Sequence, residues 1–187
     1  MSATSAPFGF RPAYHMSGLE HAKRYPIAAA YGTAMYKHQP VILNTNGTIT
    51  VGTAAADIIG HAAGFEWIDA TGKPTVSTFW PAGQTVLAGT TPYAWVYDDP
   101  DIILEVQASG PVAATAIGDQ ADVINVGNNA NGTSTCGLNA TLVGAGIQGQ
   151  YRIVEIAPNI DNDVGDAFTV VRVRVARHQF ITSKVAI

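Results

Sequence analysis

The chain has 187 residues, a length that fits one domain with an arm or tail. Hydrophobic residues make up 47% and charged residues only 13%, so disorder for want of core material is excluded and a surface covered by partners is expected. Ten Lys and Arg against fourteen Asp and Glu leave a net charge of −4, which excludes the basic footprint of a general nucleic-acid binder. No run approaches the ~18 consecutive apolar residues of a membrane-spanning helix. The opening MSATSAPFGF has neither the basic nor the apolar region of an export signal, so no secretory signal is expected. Cys136, the single cysteine, can form no intrachain disulfide.

In chain order, residues 1–18 come first and match no periodic template. Pro7 and Pro12 oppose both helix and a regular ladder. Phe8, Phe10 and Tyr14 are nevertheless too apolar for a solvated tail. Two arrangements satisfy both facts: an extended arm docked on a neighbouring subunit, or an arm folded back on its own domain.

From residue 19 onward one domain of short strands follows. Val41, Ile42 and Leu43 are joined to Ile49, Thr50 and Val51 through Asn44-Thr45-Asn46-Gly47, a hairpin because Asn-Gly tolerates positive φ. Residues 58–68 lead through the turn at 69–74 into a strand over 75–79. Tyr93, Trp95 and Tyr97 share one face of a strand whose other face carries Ala94 and Val96. Asp98-Asp99-Pro100-Asp101 turns the chain, and residues 102–107 return it. Residues 125–137 read as a small polar loop with Cys136 near the surface. Val171, Val173 and Val175 alternate with Arg172 and Arg174, which predicts a half-buried strand with a basic outer face. No stretch of ten residues has helical periodicity. The fold class is therefore all-β: a β-sandwich or barrel, jelly-roll-like, over 19–187, preceded by an N-terminal arm over 1–18.

Charge is divided along the chain. Residues 74–151 hold six acids and no Lys or Arg, whereas 1–73 and 152–187 each sum to +1. Basic ends meeting an acidic partner, with the middle facing water, would give this division a purpose; the alternative is a chance distribution in a charge-poor chain.

Several motifs resolve into turns. Gly144-Ala145-Gly146-Ile147-Gln148-Gly149 matches a dinucleotide fingerprint, but a β-branched segment follows where the motif requires a helix. Residues 161–166 resemble a calcium loop in composition, yet its glycine comes one place early and Arg172 stands at the twelfth position. Asn46, Asn131 and Asn139 head formal glycosylation triplets that read as turn asparagines. The five histidines have no metal-ligand spacing. Asp98 and Asp99 are adjacent on an extended segment and point apart, so they cannot act as paired acid and base. Trp67, Trp80 and Trp95 fit a packed core or interface, with a sugar platform as the rival. No cofactor, metal site or catalytic set is expected.

Longer strings carry more information. ATSAPFGFRPAYH (3–15), DATGKPTVSTFWPAG (69–83), YAWVYDDPDIILEVQA (93–108), AIGDQAD (116–122) and GAGIQGQYRIVEIAPNIDNDVGDAF (144–168) resemble a family of capsid decoration, or cement, proteins of tailed double-stranded-DNA bacteriophages. The resemblance implies a non-enzymatic virion protein on the outer surface of the head, assembled in the bacterial cytoplasm. Its partners would be the major capsid protein and itself, as a homotrimer, with no direct nucleic-acid or membrane contact. Phe8, Phe10, Arg11 and Tyr14 of the arm, with Arg172, Arg174 and Arg177 as a basic strip, are the expected interface residues. The alternative is a receptor- or carbohydrate-binding β module of a tail fibre or spike.

Overall fold

The computed structural model describes residues 3–127 and 133–181. Asn131 and Gly132 of the second glycosylation triplet, and part of the polar loop at 125–137, lie outside the described residues. In chain order the strands are β1 (Arg11–Tyr14), β2 (Ala22–Pro26), β3 (Met35–Tyr36), β4 (Pro40–Leu43), β5 (Ile49–Val51), β6 (Gly60–Ile68), β7 (Pro74–Ser77), β8 (Phe79–Trp80), β9 (Tyr93–Tyr97) and β10 (Ile103–Gln107). They continue with β11 (Gln120–Ala121), β12 (Val123–Ile124), β13 (Gly137–Leu138), β14 (Tyr151–Ile156) and β15 (Val170–Val175). One short 3-10 turn, Ala114–Ala116, is the only helical element among the described residues.

The protein is an all-β sandwich of antiparallel sheets with open edges, not a closed barrel. One sheet has the order β1-β10-β15-β14-β11, the other β2-β9-β6-β4-β5 with β7 beside β6. The small pairs β12-β13 and β3-β8 complete the layers. Each large sheet buries its own apolar cluster. Leu104, Val106, Val171, Val173, Tyr151 and Ile153 belong to the first, together with Cys136 and Leu138. Val41, Ile49, Phe65, Ala94 and Val96 belong to the second, closed by Met35 and by Trp67 edge-on to Trp80. Trp67 and Trp80 are thus core residues, not a sugar platform.

The alternations read from the sequence match the burial. In β9, Ala94 and Val96 are buried and Tyr93, Trp95 and Tyr97 are half-buried. In β15, Val171, Val173 and Val175 face the core. The β4–β5 hairpin turns at Gly47 with φ +79°, capped by Asn46 Oδ1 accepting from the Thr48 amide at 3.1 Å. Gln148–Gly149 runs straight into β14, so the glycine fingerprint lacks its helix. Residues 161–166 form a turn locked by buried Asn162, whose Nδ2 donates to Ala157 and Val170 carbonyls at 2.7 and 2.8 Å.

One choice between alternatives is made here and one expectation is corrected. The described residues of the arm, from Ala3 onward, are not held apart but folded back on their own domain, the second of the two arrangements weighed for it: β1 is an edge strand of the first sheet, and Phe10 is fully buried in that sheet's cluster. Pro12 is tolerated because an edge strand needs only one of its two hydrogen-bonding sides. The Gln107 side chain holds the segment before β1, accepting from the Ala6 amide at 2.7 Å and donating to the Thr4 carbonyl at 2.9 Å. Cys136 is not near the surface either, because β13 carries the end of its polar loop under the arm, where Gly9 N–H donates to the Cys136 carbonyl at 3.2 Å. Burial pushes its thiol pKa up.

A polar seam joins the sheets. His61 Nε2 lies 2.8 Å from the Tyr151 hydroxyl, and the rings of Phe10 and Tyr151 stack at 4.2 Å. Gln150 Nε2 donates to the Thr53 and Ala56 carbonyls, both at 2.8 Å. His178 Nε2 sits 2.9 Å from the Ile59 carbonyl oxygen, and Gln179 exchanges two hydrogen bonds with the Leu43 backbone. These contacts across the seam favour one relative arrangement of the two sheets, although the buried Nδ1 of His61 has no hydrogen-bond partner among the described residues.

Candidate partner-binding surface

The outer face of the first sheet gathers most of the residues expected at an interface. Strand alternation places Arg11, Glu105, Arg172 and Glu155 outward in one row across β1, β10, β15 and β14: Arg11 is registered with Glu105, Glu105 with Arg172, and Arg172 with Glu155. The row reads plus, minus, plus, minus. Arg11 Nη2 donates to Glu105 Oε1. Arg172 Nη1 donates to Glu155 Oε1 at 2.8 Å, and its Nε lies 3.7 Å from Glu105 Oε2. The Glu155 hydrogen bond, with the charges of Glu155 and Glu105, holds the Arg172 pKa above its ordinary value. Two aromatic rings cap the row: Phe8 lies 4.8 Å from the Arg11 guanidinium and Tyr14 lies 5.4 Å from that of Arg172.

Of the seven expected interface residues, Phe8, Arg11, Tyr14 and Arg172 therefore converge, although they come from opposite ends of the chain. Arg174 lies in the next row of the same face, opposite Arg152. Phe10 points into the core and presents nothing to a partner. Arg177 lies apart, at the seam, paired with Asp57 at 2.7 Å. A bare basic strip is also not what the face presents, since Arg172, Arg174 and Arg177 each have a carboxylate of the same chain within 4 Å. Glu105 and Glu155 were missed at the sequence level because pairing depends on register, which alternation alone does not specify.

The divided charge has the same explanation. Arg11 meets Glu105, Lys23 meets Asp98 at 2.8 Å, Arg172 meets Glu105 and Arg174 meets Asp101 at 3.7 Å. Cations of the two ends pair with acids of the middle inside one chain. Asp98 and Asp99 do point apart: Asp98 accepts from Lys23 and from Tyr25, whose hydroxyl pKa is pushed up to about 12 by burial and by that carboxylate, and Asp99 faces His15.

A second concave region lies on the outer face of the other sheet. Arg24 covers the Tyr93 ring at 4.0 Å and lies 5.8 Å from Trp95. Glu66 receives Arg24 at 2.7 Å and the Trp95 indole N–H at 3.1 Å. Beside them, Pro74, Val76 and Thr91 wall a cleft of about 290 Å³. Aromatic faces beside a carboxylate and a guanidinium suit polar ligands with one apolar side, sugars among them.

Ser17, His15 and Asp99 also form a line of close polar contacts, which the sequence spacing did not reveal. His15 Nδ1 is 2.6 Å from Ser17 Oγ and its Nε2 is 3.3 Å from Asp99 Oδ2. A nucleophile so placed needs amides aimed at an oxyanion. The Ser17 amide instead donates to His15 Nδ1 and the Gly18 amide to the His15 carbonyl. The arrangement closes the turn between β1 and β2. Among the described residues no three His, Cys, Asp or Glu side chains are grouped to hold a metal ion.

No family model, curated protein or solved structure matches this chain.

Proposed function

We propose that this chain is a non-catalytic structural protein of a tailed-phage virion, which decorates the outer surface of the icosahedral head and cements neighbouring capsomers of the major capsid protein against internal DNA pressure. The observation that carries this reading is the set of large apolar side chains exposed at turns and loops around a rigid β body: Met16, Leu19, Ile160 and Phe180. Such groups are stabilised by burial against other subunits, and many weak contacts repeated on one lattice add up to durable attachment. The sequence resemblance points the same way. Three-fold axes of such a shell favour a homotrimer.

The test is co-sedimentation of the purified protein with expanded heads that lack it, followed by imaging. Regular density at three-fold positions with greater heat resistance supports the proposal. Absence of head binding overturns it.

The second reading, a receptor- or carbohydrate-binding module of a tail fibre or spike, is favoured by one observation: the Tyr93–Trp95 face beside Arg24 and Glu66. It requires glycan affinity that Trp95→Ala abolishes.

A further inference from the structure

Intrachain pairing absorbs most of the basic side chains. Arg11, Lys23, Arg24, Arg172, Arg174 and Arg177 each have a carboxylate of the same chain within 4 Å. Lys37 does not: it is half-buried, yet among the described residues no Asp or Glu carboxylate lies within 4 Å of its ammonium group. Residues 1–2, 128–132 and 182–187, outside the described set, contain no Asp or Glu. A lysine drawn partly out of water without a counter-ion gives up hydration and gains no charge partner in return.

Lys37 lines a cleft of about 350 Å³, where the N-terminal segment passes the turn after β3. The other walls include Pro7, Phe8, Arg11, His38 and Thr78. Backbone hydrogen bonds hold them in place: the Lys37 amide donates to the Thr78 carbonyl at 2.8 Å, the His38 amide to that of Ala62 at 2.7 Å, and the Phe10 amide to that of His38 at 2.9 Å. His38 has a left-handed backbone, φ +68°, which a residue other than glycine keeps only where its surroundings impose it. Burial, with the Lys37 charge, holds its pKa at about 4, so its ring is uncharged at neutral pH. Arg11 is balanced by Glu105, within a row of two arginines and two glutamates. The described walls therefore hold one unbalanced positive charge, that of Lys37.

We propose that this cleft receives a carboxylate side chain, with an apolar residue beside it, from an acidic segment of a partner protein. The carboxylate accepts from Lys37 Nζ and from the N–H groups of Arg11 that remain after Nη2 is given to Glu105. The apolar neighbour lies against the half-buried Pro7 and Phe8. One negative charge balances Lys37, whereas a phosphate dianion overshoots. The next phosphate of a nucleic-acid backbone would find no further unbalanced cation among the described walls. The inference deepens the proposed function by naming the chemistry of a contact on the partner, and it rests on that reading only in requiring a protein partner.

The experiment uses the full chain at pH 7, with backbone amide resonances followed by NMR. The probe is a blocked leucine–glutamate dipeptide, and blocked leucine–glutamine is the neutral control. The expected result is saturable movement of the Phe8, Lys37 and His38 amides with the glutamate peptide alone. Lys37→Gln should weaken the response about tenfold, the loss of one charge-assisted contact, and Lys37→Arg should restore most of it. Lys73→Gln, in the exposed turn between β6 and β7, should leave it unchanged. The melting temperature of Lys37→Gln should equal or exceed that of the parent, because the variant removes a charge that has no partner in the free chain.

A Lys37→Gln variant that binds the glutamate peptide undiminished would overturn the proposal, as would equal shifts with the glutamine peptide. So would a tighter response to inorganic phosphate or to a thymidine oligonucleotide than to the glutamate peptide. A sharp drop in the melting temperature of Lys37→Gln would overturn it too, by showing that the ammonium group serves the fold. No phage head enters the assay, so its failure and a failure to bind heads are separate results.

Discussion

The ring of Phe10 lies on the ring of Tyr151 at 4.2 Å between centroids and 15° between planes, so an arm residue is stacked inside the core of the sheet that the arm borders. Removing it takes away apolar burial and a stacked partner. Phe10→Ala should destabilise the fold by about 3–5 kcal/mol, measured by urea denaturation. Deletion of residues 1–16 should lower the melting temperature sharply rather than leave an intact body without its arm. An unchanged melting temperature would place these residues outside the domain.

Gly9 carries the arm past His38. Its φ is +80°, and an added Cβ would stand 2.8 Å from both His38 Cβ and the His38 carbonyl oxygen. Gly9→Ala should cost about 1–3 kcal/mol from the left-handed backbone and the clash together. Gly18→Ala, where φ is +77° but nothing lies within 4 Å, should cost less. The difference between the two denaturation midpoints isolates the clash.

Glu105 is nearly buried between two arginines, whereas its partner Arg11 is 54% exposed. Glu105→Gln leaves two guanidiniums without their shared carboxylate and should cost about 2–3 kcal/mol. Arg11→Gln should cost under about 1 kcal/mol, because water screens that end of the row. Equal losses in a double-mutant cycle would contradict the ladder.

Burial holds His61 at a pKa of about 3, and burial with the nearby Lys37 charge holds His38 at about 4, both below the ordinary 6.5. His38 and His178 add repulsion against a charged His61, and Tyr151 hydrogen-bonds to its ring. The unfolded chain therefore binds protons that the folded chain refuses. Stability is complete above pH 6.5 and falls as pH drops toward 4, by on the order of 3 kcal/mol for His61. The His61→Phe/Tyr151→Phe double variant should flatten this slope in thermal melts between pH 7 and pH 4.

Cys136 is fully buried and its thiol pKa is raised. Aromatic disulfide reagents should react with it at the rate of unfolding and instantly in denaturant. Rapid labelling of the folded protein would contradict its burial.

Legibility in the sequence followed the physics of each signal. The β9 and β15 alternations and the Asn46-Gly47 turn are local, and they specified strands, faces and hairpin correctly. β1 escaped notice because Pro12 masks an edge strand whose partner lies about ninety residues away in β10. Arg172 and Arg174 were visible as an outward stripe, but Glu105 and Glu155, which neutralise Arg172, became visible only through register. The same holds for Arg152, whose opposition to Arg174 no spacing along the chain encodes. Cys136 reads as a surface residue because its neighbours are polar, and composition does not reveal that the arm covers it.

The position of β10 between β1 and β15 has a consequence for biogenesis. β10 is flanked by one strand made early and one made late, so synthesis must proceed through β15 before β10 gains its second neighbour. Pairings this distant in sequence close slowly, on a scale of milliseconds to seconds in small β proteins. Until then Phe10 has no complete core to enter, and a nascent or prematurely terminated chain leaves it accessible to chaperones and proteases. Only chains translated through β15 can bury that ring in a finished sheet, which makes the arm a molecular check on the completeness of each copy.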